Sequence, residues 1–596
     1  MAHSRPIRVV LAALLAAFVC RLAFVASRLP VDYWDGYEYL MNARTLAGHP
    51  LSQLAWGYLD FRPPLVPLLI AAVLRGYAPA GGGSALWGPH LLMATLSSSA
   101  LVAFYALARQ TLSSTAALFG CFVLAANPLF AHYAPFVLVD LPVMLFLTAA
   151  AALYLHGRRT GRWLDHVVAG VATGAAMLSK YSAVSFLGSL ALFEVLRALV
   201  SGRGDVGLAR RIRAAATDLR PWLVLVVAAL LFYLVHVAAY ARAVPGRFHV
   251  VTHLREVFGF QMGMATFGSD PTLEYLWDFA DAFGLPVVVL AALGVLVALV
   301  RRRDGDLLCL AWLAVMATAL TELVGHKEAR YAFPVLPPFV YFVVCTVDAI
   351  VRAMRSRAGA WGTAVAAVGV ALALARPVRL AGAEIALFGD PAYARPYLPR
   401  VASWLRERSA PGQAVLVEDG FVYTIYPRAP VLFRYDEFFH RHHIGGPALL
   451  YFLDRRWVTV PPLPSLADDW APLVERFGDS QVMAEGRSYF DALAVDWDVE
   501  PPVPIVLSAI TRRILLRMEE ESADGIVYRS VVGDERAALA PDGEGWRALV
   551  DPLAGWRVYE RATPDDPPVR FEPGRPGPPP AVLELVKIEQ VRTFFR

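Results

Sequence analysis

The amino-acid sequence predicts a polytopic α-helical membrane protein of about 11 transmembrane helices, with a C-terminal extracytoplasmic α/β domain. Of the 596 residues, 57% are hydrophobic and only 18% are charged, and the mean hydropathy is +0.48. A soluble globular chain has about 25% charged residues. This chain therefore has too little polar surface for a string of soluble domains, and it is too apolar for intrinsic disorder. The net charge of +4 is too small to indicate a nucleic-acid partner.

The predicted spans are stretches of about 20 mostly apolar residues, the length that crosses a bilayer. The first is 7–27. Because Arg5 and Arg8 precede it and no small-residue cleavage site follows, we expect an uncleaved anchor and not a signal peptide. The other ten are 87–108, 113–130, 136–156, 164–179, 182–200, 221–241, 283–300, 306–323, 331–351 and 359–376.

The basic residues between the spans support this count. Cytoplasmic loops are enriched in Arg and Lys. With the N-terminus inside, the cytoplasmic connections hold Arg109, Arg158, Arg159, Arg162, Arg197, Arg203, Arg210, Arg211, Arg213, Arg220, Arg301, Arg302, Arg303, Arg352, Arg355 and Arg357. The alternation of inner and outer loops requires that the apolar region around Lys180 and Tyr181 be counted as two spans, one before these residues and one after them. An odd number of spans places the C-terminus outside.

Three long segments then lie on the outer side. The chain divides into a membrane domain, 1–377, with outer loops 28–86 and 242–282, and an extracytoplasmic domain, 378–596. In the second domain, Val401–Arg406 has a helical pattern, whereas Ala414–Val417 and Val431–Phe433 resemble short buried strands. The Pro-rich segment 562–580 is typical of a linker or an extended cover strip.

Charged and aromatic residues gather at the outer connections. Charges at such positions are costly and mark a functional site by default, although each residue alone could be a solvated loop residue or an interfacial anchor. Five segments contribute: Asp32–Tyr39, Phe61–Leu65, His132 to Asp140, Lys180–Tyr181 and Gly325–Tyr331. The chain has only three lysines, and two of them, Lys180 and Lys327, lie at these turns.

This combination suits one kind of chemistry. A carboxylate at the outer leaflet can act as a general base on a hydroxyl group. Arg and Lys can bind a phosphate, Arg through two parallel hydrogen bonds and Lys as a point charge. A lipid-linked phosphate would enter from the bilayer, and the cations would stabilise it as the leaving group.

The same segments resemble the outer loops of the GT-C glycosyltransferases. Asp35–Tyr39 and Phe61–Leu65 are similar to the Asp-Glu-x-x-Tyr and basic-Pro-Pro-Leu motifs of the dolichyl-phosphate-mannose–protein mannosyltransferase and aminoarabinose transferase group. Val139–Pro142 resembles the second acidic position of that group, and Leu178–Tyr181 resembles its Thr/Ser-Lys turn. His326–Tyr331, with prolines after it, is similar to the His-Lys-Glu-x-Arg-Phe signature of related lipid-linked mannosyltransferases.

The resemblance covers residues 7–351 and departs from the pattern at Gly36, where the family often has Glu. Asp32, Asp35 and Glu38 therefore remain possible acids of the first loop. We favour Asp35 because it keeps the spacing to Tyr39 and to the Arg-Pro-Pro motif.

The resemblance implies a transfer of sugar from a polyprenyl-phosphate donor to an acceptor hydroxyl, with inversion. Asp35 would be the catalytic base. Arg62, Lys180, Arg330 and Lys327 would bind the donor phosphate. The remaining substrate-binding positions would be Tyr39, His132, Asp140, His326, Glu328 and Tyr331.

No cofactor is expected, since most members of this group need no metal. Two alternatives stay open: an Asp32/Asp35 pair could hold a divalent ion, and His440, His442 and His443 could resemble a metal cluster, although surface positions are commoner for such histidines. The expected partners are the lipid-linked donor, membrane lipids, and a lipid, glycan or protein acceptor.

The alternative functions are a transporter or flippase of lipid-linked sugars, and a sensor or assembly protein that binds through its C-terminal domain. A transporter favours ionisable groups near the bilayer midplane and repeated halves, whereas these charges lie at outer ends. The expected location is a bacterial inner membrane, with the N-terminus in the cytoplasm.

Overall fold

The structure, a computed structural model, describes residues 4–28, 34–48, 63–76, 86–201, 219–243, 274–322, 329–387, 414–418, 451, 456–460, 505–507, 528–530 and 557–561. Its α-helices are α1 Ser4–Ala26, α2 Trp34–Leu46, α3 Leu65–Gly76, α4 Trp87–Ala108, α5 Ser114–Ala125, α6 Pro128–Tyr133, α7 Asp140–Thr160, α8 Trp163–Ser179, α9 Ser185–Ser201, α10 Arg220–Ala243, α11 Glu274–Phe283, α12 Leu285–Arg301, α13 Asp304–Glu322 and α14 Leu336–Leu387. Two 3-10 helices, Tyr181–Val184 and Ala329–Val335, precede α9 and α14.

All eleven predicted apolar stretches overlap helices. Within the described ranges, seven helices are long and apolar enough to cross a membrane, or eight if α11 and α12, bent by 116° at Gly284, form one span. The others are shorter, such as α5 with 12 residues and α8 with 17, or share the long helix α14. The number of spans therefore stays a prediction.

The third predicted span, 113–130, is divided into α5 and α6. Asn127 begins α6, because its side-chain oxygen accepts a hydrogen bond of 2.8 Å from the backbone N–H of Leu129. Pro128 follows at the first helical position, where its missing N–H costs nothing. Because the whole stretch is apolar, hydropathy predicted one continuous span and did not indicate that a new helix begins at Asn127.

The last two predicted spans lie on α14, whose 52 residues are interrupted at Ala358 and Gly359. Gly359 has φ +57° and ψ −131°, a backbone conformation that side chains with a Cβ rarely adopt. The helix then continues through Pro377 to Leu387. The expected domain boundary at residue 377 thus lies inside α14. A proline is tolerated within such a helix where neighbouring helices can satisfy the backbone groups that it frees.

The predicted outer loop, 28–86, contains the helices α2 and α3. On α2, Tyr37, Tyr39 and Leu40 are fully or almost fully buried. Helix α3 packs against α2 and buries one stripe of apolar side chains: Val66, Pro67, Ile70, Ala71 and Leu74. The loop thus forms part of the core of the helical domain, and the N-terminus of α2 is held in a fixed place.

The described strands form a mixed five-stranded sheet in the order β2-β1-β3-β5-β4. They are β1 Ala414–Glu418, β2 Arg456–Val460, β3 Ile505–Leu507, β4 Tyr528–Ser530 and β5 Arg557–Arg561. Strand β1 is parallel to β2 and β3, whereas β5 is antiparallel to β3 and β4.

Strand β1 coincides with the predicted strand 414–417. The predicted helix 401–406, the predicted strand 431–433 and the Pro-rich segment 562–580 lie outside the described residues. The assignment of residues 378–596 to a separate α/β domain remains a prediction.

Candidate active site

Charged side chains from four separate segments meet at one place in the fold. Asp35 lies in the first turn of α2, Asp140 begins α7, Lys180 follows the last residue of α8, and Arg330 belongs to the 3-10 helix before α14. These residues form two ion pairs, and Tyr331 lies beside both cations. The structure thus brings together residues of four of the five segments that the sequence singled out, and their role as a site stays a prediction.

The first pair joins the first outer loop to the 3-10 helix. Nη2 of Arg330 lies 2.7 Å from Oδ2 of Asp35, a charge-assisted hydrogen bond at its usual length. The side chain of Arg330 is 6% exposed and that of Asp35 is 17% exposed. Asp35 is also favoured by the partial positive charge at the N-terminus of α2. The pair fixes a carboxylate that still reaches solvent.

The second pair joins α7 to the turn after α8. Nζ of Lys180 donates a 2.7 Å hydrogen bond to Oδ1 of Asp140. The side chain of Asp140 is 2% exposed, whereas that of Lys180 is 23% exposed. Each charge has the sign that its helix end favours, an acid at the start of α7 and a base after the end of α8.

Tyr331 brings the two pairs together. Nζ of Lys180 lies 3.8 Å from the centre of the tyrosine ring, and Cζ of Arg330 lies 5.3 Å from it. Both distances are within the range of a cation–π interaction, which stabilises a cation without neutralising it. An anion that approached this ring would therefore meet two cations at once.

His132 and Tyr39 lie in more buried surroundings. Nδ1 of His132 on α6 lies 2.7 Å from Oε2 of Glu384 on α14, and both side chains are buried. Tyr39 is 1% exposed and packs in the hydrophobic core, one turn after Asp35. The structure thus places these two predicted substrate-binding residues chiefly in packing and pairing contacts of the fold.

Four predicted site residues lie outside the described part of the chain: Arg62, His326, Lys327 and Glu328. Asp32, the possible metal partner of Asp35, and the three histidines at 440, 442 and 443 also lie outside it. Within the described residues, no group of three or more His, Cys, Asp or Glu side chains could hold a metal ion.

Two contacts near the site were not predicted. Glu384 is a lone acid in an apolar stretch of α14, a signal that sequence reasoning could have used. Tyr451, from the region after α14, packs its ring 5.7 Å from that of Tyr37 and under the guanidinium of Arg44, whose Nη1 donates to the Tyr451 carbonyl oxygen. Nothing in the sequence around Tyr451 indicated that it would contact α2.

Comparisons with known proteins give a consistent result. A family profile described as dolichyl-phosphate-mannose-protein mannosyltransferase matches residues 62–204. A comparison with curated protein sequences gives no match.

The solved structures that resemble the chain include the following three. ArnT from Cupriavidus metallidurans bound to undecaprenyl phosphate superposes with a TM-score of 0.59 at 15% identity, over 94% of this chain and 99% of ArnT. The same protein in its apo state gives a TM-score of 0.54 at 15% identity, over 92% of this chain and 97% of ArnT. The oligosaccharyltransferase of Archaeoglobus fulgidus, tethered to an acceptor peptide, gives 0.51 at 15% identity, over 93% and 74%.

At this level of identity the structural likeness concerns the fold, and the family profile covers part of the membrane domain. Together they confirm the resemblance that the ordered motifs indicated: the chain has the fold of the GT-C glycosyltransferases.

Proposed function

We propose that this protein transfers a sugar from a polyprenyl-phosphate-linked donor to an acceptor hydroxyl at the outer face of the membrane. The observation that supports this most is the pairing of two acids with two cations around Tyr331. The undecaprenyl phosphate bound to ArnT supports a polyprenyl-phosphate carrier, and the acceptor peptide tethered to the archaeal enzyme supports a separate acceptor.

Lys180 and Arg330 bind the carrier phosphate in this proposal. Both cations adjoin one aromatic ring, so a phosphate placed there would be bound by a point charge and by a guanidinium fork. Arg62 and Lys327 add positive charge from neighbouring segments. Arg62 directly precedes the buried Pro63, and Lys327 lies two residues before Ala329, the first residue of the 3-10 helix.

Asp35 is the catalytic base. Its carboxylate accepts the proton of the acceptor hydroxyl as the hydroxyl oxygen attacks the anomeric carbon. The bond between that carbon and the phosphate oxygen breaks, and the electron pair leaves with the phosphate, where the cations stabilise it. Attack from the face opposite the phosphate inverts the anomeric carbon.

The remaining predicted residues orient the substrates directly or through the fold. Asp140 and Tyr331 do so from α7 and the 3-10 helix, and His326 and Glu328 from the segment before Ala329. Tyr39 and His132, which lie in packing and pairing contacts, act by holding α2 and α6 in place. The acceptor is a lipid, a glycan or a protein. The chain is an integral membrane protein with a cytoplasmic N-terminus and an extracytoplasmic C-terminal domain, in a bacterial inner membrane.

Transfer by the purified protein tests this function. With an undecaprenyl-phosphate-linked sugar as donor, we expect release of undecaprenyl phosphate that depends on an acceptor. The Asp35→Asn variant should lose about 10²- to 10⁴-fold in rate, because an amide cannot accept the proton. Its thermal unfolding temperature should fall, because the largely buried Arg330 loses its counter-ion, so the rates are compared well below the unfolding temperatures of both proteins.

Asp165→Asn is the matched control. Asp165 lies near the start of α8, at the opposite end from Lys180, and pairs with His156 at 2.7 Å. Its substitution removes the same charge and should leave the rate of transfer unchanged. Full activity of Asp35→Asn would exclude Asp35 as the base. Acceptor-independent movement of the lipid-linked sugar across vesicles, without transfer, would favour a flippase instead.

A further inference from the structure

We infer that Asp35 and the carrier phosphate compete for Arg330, so that binding of the donor frees the catalytic base. This inference rests on the proposed function and adds an order of events to it. In the empty site the carboxylate is paired, and the entering phosphate takes over the guanidinium.

The geometry of the first pair supports this competition. Nη2 of Arg330 lies 2.7 Å from Oδ2 of Asp35, and the side chain of Arg330 is 6% exposed, so water screens its charge little. The same guanidinium lies beside the Tyr331 ring, where Lys180 supplies the second cation for a phosphate. A carboxylate and a phosphate that share one guanidinium repel each other, because both are anions in a poorly solvated place.

Pairing also affects the carboxylate as a base. An adjacent cation stabilises the ionised form of a carboxylate and makes it a weaker proton acceptor. While Asp35 holds Arg330, an acceptor hydroxyl therefore meets a carboxylate whose charge is largely neutralised. Once the phosphate has taken Arg330, the charge on Asp35 is available to the hydroxyl.

The second pair repeats the arrangement. Lys180 holds Asp140 at the same distance of 2.7 Å, and Asp140 is almost completely buried. Lys180 and Arg330 thus each have an acid of the chain as counter-ion. A buried charge without a partner is costly, so these acids stabilise the cations and a phosphate has to compete with them.

The experiment is a double-mutant cycle read out as affinity for undecaprenyl phosphate, titrated into the detergent-solubilised full chain. Asp35→Asn should bind the lipid phosphate several-fold more tightly than the parent, because Arg330 no longer has an anionic competitor. Arg330→Gln should bind it more weakly. In the Arg330→Gln background, Asp35→Asn should give a clearly smaller gain, since competition for the guanidinium is lost and only the direct repulsion between the two anions remains.

Three results would overturn the inference. Asp35→Asn could bind no more tightly than the parent, its gain could persist undiminished without Arg330, or the control Asp165→Asn could show the same gain. The second and third results would indicate a general effect of removing negative charge.

The second pair provides an independent cycle if Arg330→Gln is not recovered as a folded protein. Asp140→Asn should tighten binding, and the gain should be clearly smaller in the Lys180→Gln background. An undiminished gain there would contradict competition at this pair. Failure of the parent protein to bind undecaprenyl phosphate at all would instead remove the proposed function, and the inference with it.

Discussion

Tyr331 organises the described site without carrying a formal charge. Its ring lies 3.8 Å from the Lys180 ammonium and 5.3 Å from the Arg330 guanidinium carbon. The negative face of an aromatic ring attracts both cations and tolerates them side by side. A carboxylate in its place would neutralise one of them and weaken the attraction for a phosphate.

The sequence predicted the charged residues of the site but not this use of the tyrosine. Lysines are rare in the chain, and Lys180 stands out at an outer turn. Tyr331 was grouped with the substrate-binding residues because it ends the motif that resembles the His-Lys-Glu-x-Arg-Phe signature. That Lys180 adjoins its ring depends on how two distant segments pack, and no local pattern encodes that.

The contact between Lys180 and Asp140 gives a prediction at the residue scale. Lys180→Met removes the cation and leaves Asp140, which is 2% exposed, with one charged partner fewer. We expect a loss of about 1.5–3 kcal/mol in stability, the range for hydrogen bonds to charged groups. Affinity for undecaprenyl phosphate should fall as well.

Thermal unfolding of the purified variant measures the first effect. Asp140→Asn is the companion variant, because its amide oxygen can still accept the hydrogen bond from Lys180. It should unfold closer to the parent than Lys180→Met does. Equal loss in both variants would mean that the charge on Asp140, and not the hydrogen bond, stabilises the fold.

At the scale of elements, two glycines allow α8 and α10 to approach closely. A Cβ on Gly170 would lie 2.5 Å from the carbonyl oxygen of Leu225, and one on Gly174 would lie 2.8 Å from that of Ala229. Glycines spaced by four residues are typical of tightly packed membrane helices. This contact holds α8, and therefore Lys180 at its end.

Gly170→Val and Gly174→Val should each destabilise the protein. Forcing side chains into a packed interface costs about 1–3 kcal/mol, and here the opposing atoms are backbone. Gly369→Ala on α14 is the control, because its Cβ would meet nothing within 4 Å. The thermal unfolding temperature, measured in detergent, should fall for the two valine variants and stay unchanged or rise for Gly369→Ala. Tolerance of valine at both positions would contradict the close approach.

The positions of helices were easier to predict than their ends. Apolar stretches identified helices because a span must hide its backbone from lipid. The break at Asn127 and the continuation through Pro377 were missed, since each depends on local capping or on neighbouring helices. The helices α2 and α3 were not predicted as spans because, with 13 and 12 residues, they are too short to cross a bilayer. Helix α2 is also rich in polar residues, whereas α3 is apolar apart from Arg75.

At the scale of the whole molecule, Tyr451 connects the region after α14 to the helix that contains Asp35. The ring contacts Tyr37 and Arg44, and the backbone carbonyl accepts a hydrogen bond of 3.4 Å from Arg44. Tyr451→Ala should lower stability by about 1–2 kcal/mol through loss of the aromatic and cation–π contacts. We also expect the rate of sugar transfer to fall, because α2 contains Asp35, the proposed base.

Tyr451→Phe retains the ring and the backbone acceptor, so it should behave like the parent in thermal unfolding and in transfer. If alanine and phenylalanine variants were equally active and equally stable, the ring contacts would not hold α2.

The predicted topology has a test of its own. Exposed tryptophans occur near both predicted membrane faces, Trp87 and Trp277 at outer ends and Trp163 and Trp361 at inner ends, as expected for interfacial anchors. In a variant without the native cysteines, Ser409→Cys should react with a membrane-impermeant maleimide in intact cells. Ser356→Cys, just before the interruption of α14, should react only after permeabilisation. The reverse pattern would invert the assigned orientation.

The four paired charges of the described site also bear on turnover. A sugar donor carries its phosphate as a diester with one negative charge, whereas the released lipid phosphate is a monoester whose second proton has a pKa of about 6. Two cations around Tyr331 should therefore hold the product more firmly than the donor. Asp35 and Asp140, which pair with those cations in the empty site, would expel the product by reclaiming them. The residues that begin a catalytic cycle would then also determine how quickly it ends.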